Sequence, residues 1–84
     1  MRDMEKNEII SIITSTLKQV KPGTGDVSPS DHLLDDVGLG SLDMVELVAR
    51  VEERFQVPIG DDDYRNLYSV NLIADYLLAH KQTA

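Results

Sequence analysis

The chain has no cysteine and no tryptophan, and its 84 residues include only three prolines, one phenylalanine and three tyrosines. Without cysteine, neither a disulfide nor a thiolate zinc site can brace a domain this short, so stability must come from one modest core. The same absence fits a reducing cytosol. No apolar run approaches the roughly 18 residues of a membrane span, and the charged start from Met1 to Lys6 does not resemble a signal peptide. A soluble cytoplasmic protein of one domain, residues 1–84 with a core at about 3–80, is the expectation; the initial Met1 and the tail to Ala84 lean towards a stand-alone chain rather than an excised domain. Positive charge is also scarce: 8 Lys and Arg against 15 Asp and Glu give a net charge of −7. That balance argues against nucleic acid or an anionic membrane surface as a partner.

The acids are concentrated. Ten of them (Asp31, Asp35, Asp36, Asp43, Glu46, Glu52, Glu53, Asp61, Asp62 and Asp63) lie between positions 31 and 63, where only Arg50 and Arg54 oppose them. That segment carries −8 and the rest of the chain +1.

The hydrophobic pattern has helical period throughout, with no alternation of the strand kind and no repeat. Ile10, Ile13, Leu17 and Val20, widened by Ile9 and Ile12, predict a first helix over about 3–20 that Pro22-Gly23 ends. A long connection to about Gly40 follows. Ser28-Pro29-Ser30-Asp31 predicts one or two helical turns within it. Leu33, Leu34, Val37 and Leu39 are too apolar for a free loop and are expected to pin it to the core.

The second helix is expected from Ser41 to about Gln56. At about 100° per residue, Met44, Leu47, Val48, Val51 and Phe55 form its core stripe, while Leu42, Val45 and Ala49 share the opposite side with Glu46 and Glu53. Three outward apolar residues in register among carboxylates suggest a docking surface. Val57-Pro58-Ile59-Gly60 breaks this helix, and Asp61-Asp62-Asp63 opens a short turn through about Leu67. Ser69 reads as the N-cap of a last helix over about 70–80, with Val70, Ile73, Ala74, Leu77 and Leu78 buried and the end from His80 onward frayed. Tyr68 and Tyr76 are expected at the core edge and Tyr64 facing outward. The fold class is therefore all-α: three main helices, one short helix and a long first loop in a small bundle.

Ser41 follows two glycines, Gly38 and Gly40, and opens the acidic helix. On local chemistry it has two readings. It is an ordinary N-cap, or it displays a hydroxyl at a positive helix end suited to a phosphate ester. Met44, three residues on, would not complete a capping box. Catalysis is disfavoured: Leu39-Gly40-Ser41-Leu42-Asp43 is not a G-x-S-x-G elbow, and His32 and His80 read as exposed bystanders. The aspartate run lacks the ligand spacing of a calcium loop, and no metal site is expected.

The stretch Leu34-Asp35-Asp36-Val37-Gly38-Leu39-Gly40-Ser41-Leu42-Asp43-Met44-Val45-Glu46-Leu47, with Glu52-Glu53-Arg54-Phe55 and Val57-Pro58-Ile59 behind it, resembles the acyl carrier protein family. The resemblance spans about residues 30–79. It implies a four-helix acyl-carrier-protein-like bundle with no catalytic residue. It also implies that Ser41 is the attachment site of 4'-phosphopantetheine, given by coenzyme A through a phosphopantetheinyl transferase. The family's usual aspartate before the serine is replaced by Gly40, which bears on which transferase recognises the domain. Acyl intermediates would ride as thioesters in polyketide, fatty-acid or related specialised biosynthesis, including antibiotic pathways. The partners would be an acyltransferase or acyl-activating ligase and a ketosynthase or other biosynthetic enzyme, each meeting a monomeric carrier. Leu42, Val45 and Ala49 would form the apolar contact. Asp43, Glu46, Glu52, Glu53, Asp61 and Asp62 would steer basic patches, with Ile59 nearby. The alternative reading is a carrier-like adaptor that binds through the acidic helix while Ser41 stays unmodified.

Overall fold

The computed structural model describes residues 5–80, which form four helices: α1 (Lys6–Val20), α2 (Ser41–Phe55), α3 (Asp61–Tyr64) and α4 (Val70–His80). The first predicted helix therefore holds over its described part, and its expected residues 3 and 4 lie outside the described range, as does the tail beyond His80. No strand occurs among the described residues. Helix α1 packs against both α2 and α4.

Local sequence explains each boundary. Glu5 is the N-cap of α1, and its N–H donates to Glu8 Oε1 at 3.3 Å. The helix ends where Lys21 N–H reaches Leu17 O; Thr24 then bonds back to Lys21 O around Gly23, whose φ of 92° suits a residue without Cβ. Helix α2 stops at Gln56, which takes the left-handed conformation at φ 56°, and Pro58 prevents resumption. Helix α4 begins as its sequence predicts: Leu72 N–H donates to Ser69 Oγ at 3.2 Å.

The core joins Ile9, Ile13 and Leu17 of α1 to Met44, Leu47, Val48 and Val51 of α2 and to Val70, Ile73, Ala74 and Leu77 of α4. The buried stripe of α1 is turned from the predicted one. Ile9, Ile13, Thr16 and Leu17 are buried, while Ile10, Ile12 and Val20 are only half-buried. Thr16 can lie inside because its hydroxyl donates to Ile12 O at 2.8 Å, which leaves no polar atom unpaired.

The long first loop is held to α4 by backbone. Asn71 N–H donates to Pro29 O at 2.9 Å and Leu33 N–H to Tyr68 O at 2.8 Å, while Leu39 N–H closes onto Leu33 O. Leu33 and Leu39 are buried and Val27 and Val37 pack against the core. Leu34 is a correction: it is 42% exposed, because the turn that buries Leu33 points its neighbour outward. The Ser28–Asp31 segment forms a turn rather than a helix, closed by Asp31 N–H to Ser28 O and Ser28 N–H to Asp31 Oδ2.

Three other expectations change. Leu78 is 38% exposed rather than buried, since the core face of α4 closes on Leu77. Tyr64 is half-buried against the core and Tyr68 is exposed, the reverse of the expected order. His80 belongs to α4 and stacks on Tyr76 with ring centroids 4.1 Å apart.

Candidate functional site

Ser41 is exposed at the first helical position of α2; the N-cap is Gly40. This shifts the expected capping register by one residue. Position N3 is Asp43, not Met44, and Asp43 Oδ2 accepts the Gly40 N–H at 3.0 Å. A glycine has no side chain to return the bond, so no side chain caps the first amides of α2. The helix thus presents uncapped N–H groups and its positive dipole end beside a free hydroxyl.

Two glycines shape the approach for different reasons. Gly38 has φ 87° and needs the missing Cβ for its backbone conformation. Gly40 lies at φ −80°, ψ 170°, which any residue can adopt, and an added Cβ would meet only Asp43 Oδ2 at 3.5 Å. The departure from aspartate at position 40 is therefore chemical and not steric: the loop could hold that residue.

The apolar strip of α2 is outward, as its periodicity predicts. Leu42 is 85% and Val45 54% exposed, and Ala49 is exposed beside them. Val45 and Ala49 border a groove of about 170 Å³ that runs to Ile59, Asp61 and Tyr64. Ile59 itself is 8% exposed and forms only the floor of that groove.

The acids predicted for the same face divide into two sets. Three are engaged within the molecule. Asp43 holds the Gly40 amide and lies 3.8 Å from Lys21 Nζ. Glu46 is held by both Nη2 and Nε of Arg50, at 2.7 and 3.0 Å. Glu52 Oε2 accepts the Ile59 N–H at 2.8 Å. By contrast the carboxylates of Glu53, Asp61 and Asp62 have no hydrogen-bond or ion-pair partner among the described residues. The Glu46–Arg50 pair has the i,i+4 spacing that a sequence can show, but the bonds of Glu52 and Asp43 could not be read from it, because their partners Ile59 and Gly40 are backbone amides.

The Tyr76 phenol is pushed up from its ordinary pKa. Desolvation at the core edge is the first cause; the hydrogen bond to Asp63 and that residue's negative charge follow. Its hydroxyl lies 3.2 Å from Asp63 Oδ2 and 3.3 Å from Pro58 O, tying α4 to the end of the α2–α3 link.

Among the described residues, no side chain is hydrogen-bonded to Ser41. Neither histidine bonds to it: His32 stacks on Tyr68 at 4.8 Å with Nδ1 accepting from the amides of Leu34 and Asp35, and His80 is on Tyr76. Among the described residues no group of three or more His, Asp or Glu is placed to hold a metal ion. No described helix is long and apolar enough to cross a membrane.

The described residues form a small helical bundle that offers an exposed serine at the start of α2. Residues 7–77 match the profile of the family described as "Phosphopantetheine attachment site". An acyl carrier protein of Acidothermus cellulolyticus is 37% identical over 75 residues, covering 88% of this chain and 89% of that protein. One from Syntrophobacter fumaroxidans is 44% identical over 55 residues, covering 66% of this chain and 68% of its own length. A structure described as an acyl carrier protein from Mycobacterium tuberculosis superposes with a TM-score of 0.78, covering 84% of this chain and 96% of that one; at 21% identity it bears on the fold alone. The chain belongs to the acyl carrier protein family.

Proposed function

We propose that this chain carries acyl intermediates as thioesters on a 4'-phosphopantetheine arm attached to Ser41, for polyketide, fatty-acid or related specialised biosynthesis. The observation that carries the reading is the exposed hydroxyl at the uncapped start of α2. A phosphodiester there would meet free N–H groups and the positive helix end, with no steric bar from Gly38 or Gly40. In the transfer, the Ser41 oxygen bonds to the phosphorus of coenzyme A that bears the pantetheine. The pyrophosphate P–O bond breaks, 3',5'-ADP leaves with the electron pair, and the hydroxyl proton passes to the transferase.

The docking face for the transferase and the later biosynthetic enzymes would be the strip Leu42, Val45 and Ala49, with Glu53, Asp61 and Asp62 as its steering charges. Weak, fast contacts suit a carrier that must visit several enzymes in turn. Asp43, Glu46 and Glu52 contribute less, since each is already bound inside the molecule. Intact-mass spectrometry after incubation with coenzyme A and a broad-specificity transferase tests the reading. One phosphopantetheine should be added to the wild type and none to Ser41→Ala. An unmodified wild type would instead favour the adaptor.

A further inference from the structure

The segment that delivers Ser41 is organised by one imidazole. His32 Nδ1 accepts N–H bonds from Asp35 at 3.1 Å and Leu34 at 3.3 Å. The His32 backbone N–H donates to Asp36 Oδ2 at 2.8 Å, and its carbonyl accepts from the Asp36 and Val37 amides. The ring is fixed by stacking on Tyr68, whose carbonyl also receives the Leu33 amide. His32 thus stands where an N-cap stands, ahead of a turn that buries Leu33 and is followed at once by Gly38, Leu39, Gly40 and Ser41.

We propose that His32 is a positioning residue for the modification of Ser41 and that it acts only as the neutral imidazole; this rests on the reading of Ser41 above. A cap needs a lone pair. Neutral histidine with its proton on Nε2 offers one at Nδ1, whereas the imidazolium places a proton there, against two N–H donors. The ring must then turn away or the turn must open. The charged groups facing the ring are Asp35, whose carboxylate is 3.8 Å from Nδ1, and Asp36 on the backbone side; Tyr68 faces it from the segment before α4. Protonation therefore exchanges two backbone bonds for an ion pair with Asp35 and loosens the link from Leu33 to Ser41.

The test has two independent readouts. In ¹⁵N–¹H spectra of the unmodified chain from pH 5 to 8, the Leu34 and Asp35 amide peaks should move in one step that tracks the His32 ring. In His32→Asn, which keeps a cap acceptor that does not titrate, that step should vanish. Static amide peaks while the ring titrates, or the same step in His32→Asn, would overturn the proposal. In transferase assays at pH 7.5, His32→Ala should raise KM for the carrier by up to about fivefold, the factor given by a cap worth about 1 kcal/mol, with kcat unchanged. His32→Asn should restore KM. An unchanged KM in His32→Ala would also overturn it. Should the wild type accept no pantetheine at all, the reading of Ser41 fails, and the amide titration still decides the role of His32.

Discussion

Replacing Glu52 by alanine separates a carboxylate that steers partners from one that holds the fold. Its Oε2 accepts the Ile59 amide at 2.8 Å across the bend after α2, in a partly buried setting. A hydrogen bond to a charged group contributes about 1.5–3 kcal/mol, and deleting the acceptor leaves the amide unpaired beside the core. Against this, one charge fewer relieves repulsion in a segment of net −8, and alanine has the higher helix propensity, together worth about 0.5 kcal/mol. The prediction is a net loss of about 1.5 kcal/mol, which for a domain of this size lowers Tm by about 6–12 °C. Glu53→Ala makes the same change in charge and propensity one residue later, where no bond is lost, and should leave Tm unchanged or slightly higher. Thermal and urea melts of both variants at pH 7 supply the comparison. Equal melts for Glu52→Ala and Glu53→Ala would refute the structural role of Glu52.

Leu33→Ala should cost about 2–5 kcal/mol in urea unfolding, since a fully buried leucine is removed where the long loop meets the core. Leu42→Ala should change stability by less than about 0.5 kcal/mol, yet slow loading by the transferase; normal loading kinetics would count against the proposed face. Gly38→Ala should destabilise by about 1 kcal/mol through its positive φ, whereas Gly40→Asp should melt close to the wild type and reveal any transferase preference by loading rate alone. Because the Tyr76 pKa is raised in the folded state, its stabilising bond is fully present below about pH 10 and is lost as pH rises through the folded value. Melts from pH 8 to 11 should therefore show a steeper alkaline decline in the wild type than in Tyr76→Phe.

The sequence alone determined the helical class, the order of elements, the exposed strip on α2 and the position of Ser41 at a helix start. Each of these follows from period, capping chemistry or Gly and Pro placement, all of which act within a few residues. It did not determine which face of α1 is buried, because six isoleucines, leucines and valines cover two overlapping stripes and only contact with α2 and α4 chooses between them. Nor could it show that Glu52 serves Ile59, that Tyr76 reaches Asp63 or that His32 stacks on Tyr68, since those partners are separated by 7, 13 and 36 positions. Packing alone decides which carboxylate, phenol or imidazole finds an amide or a ring within reach.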